Sequence, residues 1–161
     1  MAEMYQTPFF YKLLRVYSNT IYSRWFSSTE VNNEKVIPEN ASVIFAPNHQ
    51  NAFIDAMALL WSSPAPIVFL AIASIFGNKL VAKALNFFKI MPAYRMRDGY
   101  SNLKKNEESF EQAVKVLAHN EYFCLMPEGG QDEYRRLRPL VKGMFRIAFA
   151  AQKQKPEGET I

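Results

Sequence analysis

Short apolar runs that end in polar or glycine-containing turns recur along this chain of 161 residues, and segments of helical length separate them. Val43-Ile44-Phe45 is one such run, and residues 67–71 and 122–126 form two others. Buried strands that alternate with helices predict an α/β fold, a layered domain with a largely parallel central sheet flanked by helices. In such sheets ligands bind beyond the carboxyl ends of the strands, so polar residues that follow a strand are the first candidates for a site.

The chain is predicted to open with an amphipathic helix over residues 8–26. Apolar side chains recur there at spacings of three and four residues, at Phe10, Leu13, Leu14, Tyr17, Ile21 and Trp25. Aromatic rings combined with basic side chains are typical of a helix that lies in a membrane interface. The same pattern fits a helix packed on the domain core, and the sequence leaves both interpretations open.

The other predicted strands cover residues 29–33, 42–46, 67–71, 89–94 and 122–126, and the other predicted helices cover residues 51–60, 75–88, 101–119 and 143–152. Asn51 or a neighbour is expected to cap the first of these helices, and Ser101 the third. The domain prediction is therefore a membrane-interface helix at 1–27, a main domain at 28–152 and an unstructured polar tail at 153–161.

Composition limits the classes of partner. The chain has a net charge of +4, which suits anionic lipid or a phosphorylated substrate. Nucleic acid is not expected, because the basic residues are scattered and no binding motif is present. The single cysteine, Cys124, excludes an internal disulfide framework and is predicted to be a buried thiol. The most apolar stretch, residues 66–76, is too short to span a bilayer, which needs about 20 residues.

The first polar block is Asn48-His49-Gln50-Asn51-Ala52-Phe53-Ile54-Asp55, directly after a predicted strand. A histidine can accept a proton at neutral pH, and a carboxylate on its other ring nitrogen fixes the tautomer. Their separation along the chain does not place His49 and Asp55 on one face of a helix. The pair therefore requires His49 in the loop and Asp55 in the first turns of the helix. His49 as an ordinary loop histidine bonded to backbone is the alternative.

The second polar block is Met126-Pro127-Glu128-Gly129-Gly130, at the end of another predicted strand. A carboxylate is costly to bury without a partner, so Glu128 is expected to have a specific role there. Gly129 and Gly130 allow the backbone to turn sharply or to approach a ligand closely. A plain tight turn is the alternative for the glycines alone.

Together these blocks resemble the glycerolipid acyltransferases, over about residues 40–150. That family carries Asn-His-x4-Asp, and Asn48, His49 and Asp55 resemble its H-x5-D variant. Its second block ends in an arginine that binds the acceptor phosphate, for which Arg95 is the best match and Arg97 the reserve. Its third block, Phe-Pro-Glu-Gly-Thr-Arg-Ser, matches here in Pro127, Glu128 and Gly129. The missing arginine leaves Arg135, Arg136 or Arg138 as possible replacements.

The resemblance implies transfer of a fatty acyl group from acyl-CoA or acyl-carrier protein to a hydroxyl of 1-acylglycerol 3-phosphate or glycerol 3-phosphate. His49 is then the general base and Asp55 orients it, while the acceptor contacts fall to Asn48, Glu128, Gly129, Gly130 and the arginines. No metal and no cofactor beyond the acyl donor are expected. The resemblance also implies peripheral or monotopic attachment at the cytoplasmic face of a membrane. The chain ends before the family's fourth block, so a fragment or natural truncation is expected.

Two other functions remain open at this stage. The altered third block is compatible with a non-catalytic module that binds lipid surfaces on the same fold. A metal hydrolase built from His49, Asp55, Glu128 and His119 is the weaker alternative, because the chain has only 2 histidines and no closely spaced pair of ligands.

Overall fold

The computed structural model of the chain describes residues 4, 7, 9–94, 103–130 and 136–161. Its strands are β1 (Val43–Phe45), β2 (Ile67–Ile72), β3 (Ile90–Ala93) and β4 (Tyr122–Leu125). Its α-helices are α1 (Phe9–Trp25), α2 (Ala52–Ser62), α3 (Lys79–Phe87), α4 (Leu103–Ala118) and α5 (Gly143–Gln152). Two short 3-10 helices, Glu34–Val36 and Ala73–Phe76, complete the regular structure of the described residues.

The four strands form one parallel sheet in the order β1-β4-β2-β3. Phe45 of β1 lies opposite Cys124 of β4, and Cys124 lies opposite Phe69 of β2. The predicted α/β fold with a parallel sheet flanked by helices is therefore confirmed. Because β1 and β4 are parallel neighbours, the segments that follow their carboxyl ends leave the sheet side by side.

Neighbouring strand residues point to opposite faces of the sheet, so each face has its own core. On one face, a cluster around Ile67, Phe69, Tyr122 and Cys124 packs against Leu59 and Leu60 of α2. On the other face, Val68, Phe123 and Leu125 pack against side chains of α4 and α5. The prediction of a buried Cys124 is confirmed, and this burial raises the pKa of its thiol to about 12.

Helix α1 packs along α2 through its polar side. Tyr11 and Tyr22 are its buried residues, and the ring of Tyr22 lies 5.8 Å from that of Trp61. The guanidinium of Arg15 donates hydrogen bonds to the carbonyls of Leu60 and Ser63, near the end of α2. Most of the apolar residues that predicted this helix point outward instead, as do Phe9 and Val16. No helix among the described residues is long and apolar enough to cross a membrane.

Two local predictions were wrong. Residues 29–33 are not a strand, because Asn33 adopts a left-handed backbone with φ 62° and leads into the 3-10 helix Glu34–Val36. The helix expected at 75–88 is divided, because Asn78 caps a new helix with a 2.8 Å bond from the Leu80 N–H. The polar tail predicted at residues 153–161 has turns but no helix or strand, and the Ile161 N–H donates a 3.0 Å bond to the Gln152 side chain.

The other elements form where they were expected, with ends that differ by at most two residues, and α5 begins and ends as predicted. The cap predicted at Ser101 lies outside the described residues.

Candidate active site

The carboxyl ends of β1 and β4 bring the two polar blocks together. The backbone N–H of His49 donates a 3.2 Å hydrogen bond to Oε1 of Glu128. This contact follows from the sheet order, because parallel neighbouring strands end at the same edge. The site therefore lies beyond the carboxyl ends of the strands, where an α/β sheet usually binds its ligand.

His49 and Asp55 form a direct pair. Nδ1 of His49 lies 3.1 Å from Oδ2 of Asp55, and each side chain retains 20% of its exposure. His49 is in the loop after β1, and Asp55 is in the first turn of α2, which is the arrangement the spacing required. Because an ionised carboxylate only accepts hydrogen bonds, Nδ1 carries the hydrogen and Nε2 is left as the basic nitrogen.

The backbone before α2 fixes the Asp55 carboxylate. The N–H groups of Gln50 and Asn51 donate to Oδ2 at 2.9 and 2.8 Å. Asn51 is the N-cap residue, as expected, but its side chain makes no capping bond. Asp55 instead satisfies the amides that precede the helix, and the helix dipole favours its negative charge at that end. These two backbone donors could not be predicted from the residue types, since every residue other than proline has an N–H.

Glu128 is 4% exposed, so its carboxylate is almost fully removed from water. One oxygen accepts the bond from His49, whereas Oε2 is buried and has no hydrogen-bond partner among the described residues. A buried carboxylate oxygen without a donor is costly, which indicates that a further donor belongs there. Glu128 therefore anchors the His49 loop and offers one unused acceptor; its predicted contact with the acceptor substrate stays a prediction.

The turn after Glu128 depends on Gly129. This residue has φ +65°, a left-handed conformation that L side chains rarely adopt, and a Cβ there would lie 3.4 Å from Val141 Cγ1. Its N–H bonds to the Met126 carbonyl at 3.0 Å, and the Val141 N–H bonds to the Pro127 carbonyl at 2.7 Å. The segment before α5 thus returns to the site and covers the turn.

The predicted phosphate contacts are only partly described. Arg95, Arg97 and Arg135 lie outside the described residues. Arg136 is exposed and Arg138 is partly buried, just before the segment that returns to Pro127. Asn48 is exposed beside His49, and Gly130 is partly buried.

His119 does not join this site. It directly follows α4 and bonds through Nδ1 to the Lys115 carbonyl at 2.8 Å, just before β4 begins. The amino end of β4 is opposite the edge that carries His49, so the four-residue set proposed for a hydrolytic metal is not assembled. Within the described residues, no group of three or more His, Cys, Asp and Glu side chains is arranged to hold a metal ion.

A histidine paired with a carboxylate at a strand end can take a proton from a substrate hydroxyl. The family model described as Acyltransferase matches residues 28–157, which includes both polar blocks. The chain belongs to the Acyltransferase family. The glycerolipid acyltransferase relationship expected from the motifs is thereby confirmed, together with acyltransferase activity in general. Comparisons with curated proteins and with solved structures give no match.

Proposed function

We propose that this acyltransferase moves a fatty acyl group to a hydroxyl of 1-acylglycerol 3-phosphate, with glycerol 3-phosphate as the other candidate acceptor. The observation that carries the proposal is the His49–Asp55 pair at 3.1 Å. It lies in a family block whose chemistry is acyl transfer. The product would be phosphatidic acid from 1-acylglycerol 3-phosphate, or an acylglycerol 3-phosphate from glycerol 3-phosphate, so the reaction belongs to phospholipid biosynthesis.

The proposed reaction is direct. As the acceptor oxygen bonds to the thioester carbonyl carbon, its proton passes to Nε2 of His49, and Asp55 stabilises the resulting imidazolium. Collapse of the tetrahedral intermediate breaks the carbon–sulfur bond. The imidazolium then returns the proton to the leaving thiolate. His49 serves as base and acid in turn, so this route needs no acyl-enzyme and no cofactor beyond acyl-CoA or acyl-carrier protein.

Phosphate recognition is assigned to the basic residues beyond the strand ends. Arginine suits this role because its planar guanidinium can bond two phosphate oxygens at once. Arg95 or Arg97 and the group Arg135, Arg136 and Arg138 are the proposed contacts. Asn48, Glu128, Gly129 and Gly130 would then contact the glycerol portion.

The proposed location is the cytoplasmic face of a membrane, with peripheral or monotopic attachment through α1. The outward side of α1 supports it, because Phe10 and Tyr17, which are seven residues apart on one helix face, are 67% and 64% exposed. Large exposed aromatic side chains on one helix face favour the boundary between lipid head groups and acyl chains. The helix carries three basic residues and no acidic one, which suits an anionic lipid surface.

The test is an acyl-transfer assay on mixed micelles with oleoyl-CoA as donor. Parallel reactions contain 1-acylglycerol 3-phosphate, glycerol 3-phosphate and 1-acylglycerol, which lacks the phosphate. We expect phosphatidic acid from the first and at least about tenfold lower kcat/KM for the acceptor without phosphate, since one lost charged contact is worth about 1.5–3 kcal/mol. Arg138→Gln should raise KM only for phosphorylated acceptors. The difference in kcat/KM between acceptors with and without phosphate should therefore become smaller.

The assay also decides between enzyme and binding module. A folded chain that forms no product from any acceptor, with acyl-CoA or with acyl-carrier protein, would contradict the proposal. Retained vesicle binding in that case would support the non-catalytic lipid-surface module.

A further inference from the structure

Helix α3 directs its larger apolar side chains away from the domain, whereas a helix of a globular domain usually directs them toward the core. Its N-terminal apolar residue Leu80 is 80% exposed, and Val81, Phe87 and the following Phe88 are exposed as well. The side chains that face the domain are those of Ala82, Leu85 and Asn86, and even these are only partly buried. No residue of this helix is fully buried. A helix of this length is only marginally stable in water without packing. An exposed apolar side on such a helix is typical of a surface that contacts a partner or a membrane.

The outward residues form one stripe. Ala84 lies four residues after Leu80, Phe87 and Phe88 lie three and four residues after Ala84, and all are exposed. Lys79 and Lys83 are also exposed and lie along one edge of that stripe. An apolar stripe bordered by lysines is the pattern of a helix that lies in a lipid interface, where each lysine can extend to the phosphate layer.

Charge favours an anionic bilayer over a second protein surface. No acidic residue occurs between Asp55 and Asp98, a segment that includes all of α3, and none occurs in α1. By contrast, α4 carries three glutamates, at 107, 108 and 111, which balance its three lysines, at 104, 105 and 115. Helices α2 and α3 both connect strands in the same direction along the sheet order, so right-handed crossovers place them on one face and α4 on the other. Among the described residues, α1 and α3 thus give one helix layer a basic, apolar exterior, whereas α4 on the other face has no net charge.

We infer that α3 is a second membrane contact, which acts with α1 to hold the site against an anionic bilayer. The inference rests on the proposed function only for the membrane location. It adds the orientation of the domain relative to the bilayer. Helix α3 begins beyond the carboxyl end of β2, so Leu80 is at the edge of the sheet that carries His49. Contact through Leu80 brings the site entrance to the lipid surface, where an acyl acceptor and donor are concentrated.

The first test places a fluorophore on α3. Leu80→Cys labelled with NBD reports transfer from water to lipid, and Cys124 does not interfere because it is buried. Phe149→Cys is the matched control, since Phe149 is 68% exposed on α5, which packs on the opposite face. Trp25→Cys marks α1. On vesicles of equal parts phosphatidylcholine and phosphatidylglycerol, we expect a blue shift and stronger emission at positions 80 and 25, and none at 149.

The second test is vesicle binding by Leu80→Gln and by Phe149→Gln. Loss of a lipid-inserted leucine should weaken the partition coefficient about tenfold, whereas the Phe149 variant should bind as the wild type does. Neither NBD emission nor vesicle binding requires turnover, so both tests are independent of the acyl-transfer assay. A response at position 25 without one at position 80 would overturn the α3 contact and leave the proposed function intact. An emission change at position 80 without lipid that grows with protein concentration would also overturn it, in favour of a second copy of the chain.

Discussion

The backbone N–H of His49 bonds to the buried carboxylate of Glu128 at 3.2 Å, although 79 residues separate the two along the chain. This bond joins the loop after β1 to the turn after β4. It also restrains the main chain of His49, while Asp55 restrains the imidazole ring. The imidazole is therefore fixed from two directions, which suits its proposed role as the general base.

Replacement of Glu128 should lower kcat by misplacing His49. We expect Glu128→Ala to lose about 10²-fold, since a shift of roughly 1 Å at a reacting group has that effect. Glu128→Gln should recover most of the loss, because its amide oxygen can still accept the His49 N–H. Steady-state kinetics give kcat, and circular dichroism checks the fold. If Gln is as inactive as Ala, the charge of Glu128 acts on the substrate itself and the positioning role is wrong.

Replacement of Asp55 by Asn should be more severe. The amide can present an N–H toward Nδ1 and so select the wrong tautomer, and it stabilises the imidazolium less. We expect kcat to fall by about 10³-fold or more, with vesicle binding unchanged. Product formation under saturating donor and acceptor measures this effect. A decrease smaller than about tenfold would mean that Asp55 mainly caps the backbone of Gln50 and Asn51.

Gly129→Ala should destabilise the folded state by about 1–3 kcal/mol, the usual cost of a side chain in the left-handed region. The backbone there has φ +65°, and the new Cβ would lie 3.4 Å from Val141. Gly143→Ala is the control, because nothing lies within 4 Å of a Cβ at that position. Urea unfolding gives the free energy of unfolding of both variants. Equal midpoints would show that the turn relaxes without cost.

Lys89 is buried at the amino end of β3, at 2% exposure, and its Nζ lies 3.7 Å from Glu121 Oε2. Burial lowers the pKa of Lys89, and Glu121 partly opposes this change. Lys89→Met should leave the free energy of unfolding equal or raise it, whereas Glu121→Gln, which leaves the cation unpaired, should lower it by about 3 kcal/mol. Thermal and urea unfolding distinguish these outcomes. The Lys89 Nζ also lies 5.8 Å from the centroid of the Tyr11 ring. Strong destabilisation by Met would show that the cation itself holds α1 through this contact.

The same group predicts a pH dependence. Since the pKa of Lys89 is lower in the folded state, the unfolded chain binds more protons just below the ordinary value of 10.5. Relative to Lys89→Met, the wild type should therefore gain stability as pH rises toward that value. A constant difference across the alkaline range would contradict the lowered pKa.

The sequence was sufficient for the parts of the site that depend on side-chain type. His49, Asp55 and Glu128 each stand out because a polar group directly follows an apolar strand or begins the next helix. The order of strands was not predictable, and it is that order which makes His49 and Glu128 neighbours. The amides that hold Asp55 carry no sequence signal at all.

The helices show a second limit. Periodicity detected the apolar stripe of α1, but it cannot say whether a stripe faces the sheet or the solvent. For the same reason, the sequence could not predict that Leu80 of α3 is exposed. Gly77-Asn78 is a turn and cap signal that indicates the break before α3. The apolar residues on both sides of it led to the prediction of one continuous helix over 75–88.

The central claim is that His49 is the base for acyl transfer. The most direct measurement compares phosphatidic acid formation by the wild type, His49→Ala and His119→Ala, with oleoyl-CoA and 1-acylglycerol 3-phosphate. His119 is the matched control, because it is the only other histidine and lies at the far edge of the sheet. We expect loss of activity in the His49 variant alone, with fold and vesicle binding retained. Turnover by His49→Ala at the wild-type rate would contradict the account.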